Sequence, residues 1–522
     1  MGDVTEAAGP AARGRRGREA QSRERAAQAL WQQSPRPAAP SPIAPVRLVS
    51  DDALGMIHAA ALQILAEVGV DFLSAEARGI AIAAGALAGP EPERLRFDPA
   101  LIEALIAQAP AAFTIRAANP ARDLPIGQGF THWGCVSSAP QINDLDGGRR
   151  PGTQADFRRL LRLGQTLEVI GFFGGYPVEP QDLPAPTRHL DCIADFITLT
   201  DKVFHPYCLG RARIRDALDL LSLGRGYDRA ALEAGPACYT VVNSSSPLRY
   251  DKPMLEGLIE MARANQCVCF TPFTLAGAMA PITLAGAIAQ QHAEALAGIA
   301  FAQMVRPGAP VIYGAYTSNV DMRTGAPAMG TPEYMKSAII SGQLARRCGL
   351  PYRSSGGNAA NAPDAQAVYE TTFALWGARL GGADIVMHAA GWLEGGLSAS
   401  PEKLVIDAEI LQGIDAATSA LTVDEASLAL DAVREVGPGG HYFGAAHTMA
   451  RYTSAFYVPL LSDWSNFGSW TAAGARDALS RAHGLARVIE AAHTPPPLDP
   501  ARAEAVADHV ARRKAEGGVR DD

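Results

Sequence analysis

From residue 169 onward, short apolar runs alternate with helix-length stretches of chain. The runs read VIGFFGGYPVEP, KVFHPYCLGR, CYTVVNSSSP, VCFTPFTLAG, PVIYGAYTSN, PYRSSGGNAA, DIVMHAAGWLEGG and VREVGPGGHYFG. Each is rich in β-branched and aromatic residues, as strands buried on both faces are, and the sequence between them repeats its apolar positions at helical spacing. About eight such units close a parallel sheet into a (β/α)8 barrel. The pattern predicts an α/β chain with a TIM barrel over residues 166–445. Crossover helices are expected in ITLAGAIAQQHAEALAGIAFAQMV, TPEYMKSAIISGQLARRCG and PDAQAVYETTFALWGARLGG. Thr331-Pro332 and Pro363-Asp364 start two of them, and Gly349 and Gly381 end them.

Residues 46–165 predict an N-terminal helical extension with short β-hairpins. SDDALGMIHAAALQILAEVGV opens on the capping residues Ser50 to Asp52, and FDPALIEALIAQAP has Asp98 as N-cap with Pro99 in the first turn. NDLDGG signals a hairpin, because Asp-Gly supports the tight turns that join antiparallel strands. A helix then starts at Thr153. Residues 1–45, rich in Arg, Ala, Gly and Pro, predict a disordered tail, and residues 446–522 a C-terminal helical segment.

Composition narrows the function classes. A hydrophobic fraction of 48% with 19% charged residues supplies apolar surface for a large core. The net charge is −8, and residues 1–47 hold eight Arg against Asp3, Glu6, Glu19 and Glu24, which leaves −12 on the remainder. So acidic a body argues against nucleic acid as a partner. Seven Cys in 522 residues do not suggest a disulfide framework. With no apolar signal segment and no run long enough to span a bilayer, the expectation is a cytoplasmic protein without a membrane partner.

Common catalytic signatures are missing. There is no HExxH, no P-loop and no Cys-x-x-Cys pair, and GPGGHYFG lacks dinucleotide-binding spacing, so no metal and no tightly bound cofactor is expected. Cys267 and Cys269 read as small buried hydrophobes. What stands out is a ring of residues at the strand ends, where barrel chemistry sits. Phe173 and Tyr176 follow the first strand, with His205 and Tyr207 in the second and Asn243 ending the third. Phe270 and Phe273 line the fourth, Tyr313 and Tyr316 the fifth, Tyr352 and Asn358 the sixth. His388, Trp392 and Glu394 belong to the seventh, His441 and Phe443 to the eighth. Aromatics converging with one or two carboxylates hold a quaternary ammonium through cation–π attraction and a nearby anion. Any one of these aromatics, taken singly, also suits barrel packing.

Several segments resemble the trimethylamine methyltransferase family, in its branch without pyrrolysine. They are NDLDGGRRPGT, GGYPVEPQDLP, NSSSPLRYDKPMLEGLIE, TPFTLAGAMAPITLAGAIAQQHAEALAGI, VRPGAPVIYG, SNVDMRTGAPAMGTPEY, NAPDAQAVYE, HAAGWLEGGL and GPGGHYFG, and the similarity runs from about residue 50 to the C-terminus. The resemblance implies methyl transfer from a small-molecule quaternary amine, such as glycine betaine, to the Co(I) corrinoid of a separate corrinoid-binding protein. In that setting His388, Glu394 and His441 would act as catalytic or orienting groups. Phe173, Tyr176, Asn243, Tyr313, Tyr316, Tyr352, Asn358, Trp392 and Phe443 would bind substrate. The family's amine enzymes use pyrrolysine near the barrel mouth; its equivalent is expected in the SSGGNAANAPD loop, and its lack implies a substrate that is already quaternary. Demethylation of another methylated amine or onium compound (trimethylamine, carnitine, proline betaine, choline, dimethylsulfoniopropionate) is the alternative within enzymes. A barrel that binds an onium compound or a corrinoid protein without catalysis is the alternative outside them. Self-association is left open.

Overall fold

A computed structural model of the chain describes Gln33 and residues 39–519. The expected N-terminal tail lies largely outside the described residues. Its last part, residues 39–45, packs on the barrel: the Ser41 N–H donates to Gly129 O at 3.2 Å.

Seven parallel strands form the central sheet: β1 His132–Cys135, β2 Ile170–Phe173, β3 Tyr239–Val242, β4 Cys267–Phe270, β5 Val311–Gly314, β6 Tyr352–Ser355 and β7 Ile385–Ala390. Their order is β3-β4-β5-β6-β7-β1-β2. An eighth stave, the segment around Val203, bridges to Phe172 of β2. Side chains complete the circuit from that segment to β3. The Val241 N–H donates to His205 Nε2 at 3.0 Å, and Thr240 Oγ1 donates to Pro206 O at 2.8 Å. The chain is therefore an eight-stave (β/α) barrel.

The barrel is phased one unit earlier than its sequence pattern predicts. THWGC supplies the strand β1, ahead of residue 166, and the expected eighth strand is instead the helix Leu430–Val436 followed by a loop. Two features hide β1. It is four residues long, and the predicted hairpin, Gln141–Asp144 paired with Gly148–Pro151, separates it from its helix Gln154–Thr166. Val433 and Val436 of VREV, three residues apart, fit one helix face, and Gly437 follows at φ 65 to end the helix. At the end of the Ala365–Gly381 helix, Gly382 and not Gly381 takes the left-handed C-terminal position.

Alternation along each strand separates two cores. Phe172, Val203, Tyr239, Val241, Cys267, Cys269, Ile312, Ile385 and Met387 fill the lumen. Gly134 of β1 leaves room for Phe172, since a Cβ there would lie 2.5 Å from Phe172 Cζ. An antiparallel hairpin, Phe113–Ile115 with Leu124–Ile126, contributes Ile115, Leu124 and Ile126 to the same cluster. It is bonded just ahead of the strands: the Ala118 N–H to Asp201 O, the Arg116 N–H to Pro236 O, and the Gly127 N–H to Asp384 Oδ1. The hairpin thus plugs the N-terminal end and leaves the C-terminal end as the mouth.

The second core lies between strands and helices. Its helices include α1 Asp51–Gln63, α2 Pro99–Ile106, α3 Leu284–Val305, α4 Pro332–Arg347, α5 Ala365–Gly381 and α6 Pro401–Ala417. Of these, α1 and α2 belong to the N-terminal extension and pack on α3. A small sheet ties that extension to the barrel, with Val70–Phe72 paired in parallel to Arg249–Tyr250. The C-terminal segment is helical over Ala478–Ala491 and Pro500–Ala515. Among the described residues no helix is long and apolar enough to cross a membrane.

Candidate functional site

The mouth collects polar and aromatic groups from six staves. Arg353 of β6 sits at its centre, 3% exposed. Its neighbours on the strand define its direction: Tyr352 points outward and donates from its hydroxyl to Ala338 O of α4 at 2.8 Å, so Arg353 points into the lumen. Its Nη1 reaches only Ala315 O, at 3.5 Å, and its Nε has no partner. Among the described residues no carboxylate forms an ion pair with it. Ser355, two residues on and on the same face, also leaves its buried Oγ without a partner. Buried charges are ordinarily paired because leaving water is costly, so this guanidinium is poised for an anion.

Three rings stack beside it. Phe273 and Tyr316 lie 5.2 Å apart at 28°, and Tyr316 and Trp392 lie 6.2 Å apart at 10°. Arg353 Cζ is 5.9 Å from the Tyr316 centroid. His388 meets Trp392 edge-on at 3.9 Å and hydrogen-bonds Ser137 Oγ through Nδ1 at 3.1 Å. Its φ of 54 is the left-handed conformation, uncommon for a residue with a side chain and frequent at functional positions. Asn358 fixes the Trp392 backbone by donating from Nδ2 to its carbonyl at 2.7 Å.

Both mouth imidazoles are held neutral. Burial, with the Arg353 charge and His205 adding to it, pushes the His388 pKa well below 6.5. Burial likewise lowers His205 to about 4, against the Gly174 carbonyl that accepts from its Nδ1. A neutral buried His stabilises the fold above its unfolded pKa of 6.5, and that contribution is lost as pH falls through about 4. For His205 the loss amounts to roughly 3 kcal/mol. Urea midpoints measured from pH 7 to pH 4 should fall accordingly, and His205→Gln should flatten that slope.

The structure divides the sequence-predicted site residues. Tyr316, Asn358, His388 and Trp392 come together at the mouth. Phe173 and Tyr176 face the outer layer, against Phe196 and Phe157. Tyr313 also points outward, its hydroxyl bonded to His292 Nδ1 of α3 at 2.9 Å, and Tyr352 does so as described. These four are corrected to packing residues, because strand alternation gives every second side chain to the helix layer. Tyr313 and His388 thus lie on opposite faces of the barrel wall. Asn243 is exposed at the end of β3. Glu394 is tied to Arg149 at 2.8 Å and to the Ser398 hydroxyl, so its charge is already matched. His441 and Phe443 sit exposed in the loop after Leu430–Val436, Phe443 at 85%, because the segment is no barrel strand.

Arg353, Ser355 and Ser137 escaped the sequence reading. PYRSS did contain a signal for Arg353: a charge inside an otherwise apolar run has to be explained.

Comparison with known proteins identifies the family. The family model described as trimethylamine methyltransferase (MTTB) matches residues 13–518. A glycine betaine methyltransferase of Desulfitobacterium hafniense is 35% identical over 90% of this chain and 98% of its own. The trimethylamine methyltransferase MttB1 of Methanosarcina mazei is 27% identical over 87% of this chain and 92% of its own, and an MttB of Desulfitobacterium hafniense is 28% identical over 90% and 94%. With the family model spanning nearly the whole chain and a full-length relative above 30% identity, this protein belongs to the trimethylamine methyltransferase family.

Proposed function

We propose that the protein transfers a methyl group from a carboxylate-bearing quaternary amine, with glycine betaine as the model substrate, to the Co(I) corrinoid of a separate protein. The observation that carries this reading is Arg353, a buried guanidinium without a carboxylate partner beside a stack of three rings. A betaine satisfies both halves. Its carboxylate pairs with Arg353 and accepts from the Ser355 hydroxyl, and its onium group rests against the aromatic faces. The name of the 35%-identical relative points to the same substrate.

The reaction is a displacement at carbon. The N–CH3 bond breaks with its electron pair remaining on nitrogen, a pair from cobalt forms the new bond to methyl, and a neutral tertiary amine leaves. No general acid is required, which agrees with two neutral imidazoles at the mouth. Neutral rings also add no positive charge against the onium. This chain's contribution is alignment and exclusion of water. Because the N-terminal end of the lumen is filled by Tyr239, Cys267 and the hairpin residues Leu124 and Ile126, the carboxylate end lies deepest and the methyl groups face the mouth, the side open to the acceptor.

The test is incubation with a reduced corrinoid carrier protein and a panel of methyl donors, followed by methyl–corrinoid absorbance. Glycine betaine, carnitine, proline betaine and dimethylsulfoniopropionate carry a carboxylate, whereas choline and trimethylamine do not. Turnover confined to the carboxylated compounds is the expected result. Equal turnover of choline would contradict the assignment of Arg353, and no turnover with any donor would refute methyl transfer.

A further inference from the structure

On the outside of the barrel, far along the sequence from one another, two imidazoles and a thiol converge. His58 lies on α1, His292 on α3, and Cys348 caps the C-terminus of α4. One ligand atom from each lies within 4.8 Å of the others. His58 Nδ1 and His292 Nε2 are 2.9 Å apart.

One outer ring nitrogen is hydrogen-bonded and the other faces a carboxylate. His292 Nδ1 meets the Tyr313 hydroxyl at 2.9 Å, and His58 Nε2 faces Glu103 Oε1 of α2 at 3.7 Å. This is how metal-bound histidines are held: the second ring nitrogen is bonded to a carboxylate or another oxygen, which fixes the tautomer and raises ligand basicity. A cavity of about 350 Å3 is lined by two of the three ligand residues, His58 and Cys348, together with Ile102, Glu103, Leu296 and Arg347.

We propose that His58 Nδ1, His292 Nε2 and Cys348 Sγ form a zinc site that staples the N-terminal extension to the barrel, with the fourth position open to the cavity. A set of two imidazoles and one thiolate suits Zn2+. With zinc about 2.0–2.1 Å from each nitrogen, a tetrahedral site needs the two nitrogens about 3.3 Å apart, a separation of a few tenths of an ångström from their present contact. Burial keeps both imidazoles neutral, the form that binds metal. Burial also raises the Cys348 thiol to about 12, opposed by the Arg347 charge, so the thiolate gains a cation when zinc enters. Zinc binding therefore releases the thiol proton, while the proton between the two neutral rings shifts to an outer ring nitrogen.

Co2+ added to the metal-free, full-length protein is the direct probe. One equivalent per chain should produce a thiolate-to-Co2+ charge-transfer band, and Zn2+ should displace it. Cys348→Ser should abolish the band, and Glu103→Gln should weaken affinity by about 10–100-fold, the usual effect of losing an outer partner. A measurement without variants uses the seven cysteines, of which Cys348 alone is not fully buried. Zn2+ should protect Cys348 from iodoacetamide, as read by peptide mass spectrometry. No band at excess Co2+, a band that survives in Cys348→Ser, or unprotected Cys348 in the presence of Zn2+ would each overturn the site.

Discussion

Replacing Arg353 with Met should lower kcat/KM for glycine betaine by about 2–5 kcal/mol, or roughly 30- to several-thousand-fold, the range for removing one partner of a buried charge pair. The same substitution should leave the melting temperature unchanged or raise it. Arg353 is buried without a carboxylate, so the folded protein bears the cost of desolvating a charge that gains a partner only when substrate binds. An apolar side chain of similar length removes that cost. Loss of activity with retained or increased stability separates a substrate anchor from a packing residue, since a packing residue would lose both. Selectivity is a second readout. Choline and trimethylamine have nothing to offer Arg353 and are repelled by it, so their turnover relative to glycine betaine should rise in the variant. Unaltered kinetics for glycine betaine in the Arg353→Met enzyme would dismiss the anchor.

Truncating Tyr313 to Ala should destabilise the protein by about 3–5 kcal/mol, the range for a large core aromatic. Truncating Trp392 should cost much less stability and weaken onium binding by about 0.5–2 kcal/mol. Both residues end apolar runs in the sequence, yet they face opposite sides of the wall. Tyr313 is fully buried against α3 and bonded to His292. Trp392 stands at the mouth, between the Tyr316 ring and the His388 edge, with its indole N–H unpartnered. Thermal melts and isothermal titration with glycine betaine on the two variants should give reversed rankings. If Tyr313→Ala weakens binding while keeping its melting temperature, the orientation of β5 is wrong.

Much of the barrel was legible because burial on both faces leaves a compositional trace that needs no tertiary information. VIGFF, TVV, VCF, VIY and IVM read as strands, and β2, β3, β4, β5 and β7 occupy them. Capping was legible for the same local reason. The Thr153 hydroxyl accepts from the Asp156 N–H and the Thr153 N–H donates to the Asp156 carboxylate, and Thr331 accepts from the Tyr334 N–H. THWGC was not legible, being short, containing a glycine and lying apart from its helix. Its place in the sheet comes from pairing with β7 and β2, which are distant in sequence. The error at the other end followed from it, since a count of eight was then completed with VREVGPGGHYFG.

Within the candidate site, the sequence marks strand ends but not which side chains face inward. Register has a period of two, so a shift of one residue exchanges the lumen for the helix layer. That is why His388 and Trp392 were found together with Tyr313 and Tyr352, and why Arg353, next to Tyr352, was passed over. The cluster of His58, His292 and Cys348 has no spacing signature, because its members come from three helices brought together only by packing. The sequence by itself determined the α/β class, most strands and helix caps, and the family, since these depend on local pattern and on similarity along the chain. Tertiary structure decided which stave closes the barrel, which face each aromatic shows and which buried charge lacks a partner. Those properties depend on contacts between residues far apart in the chain, and no local pattern encodes them.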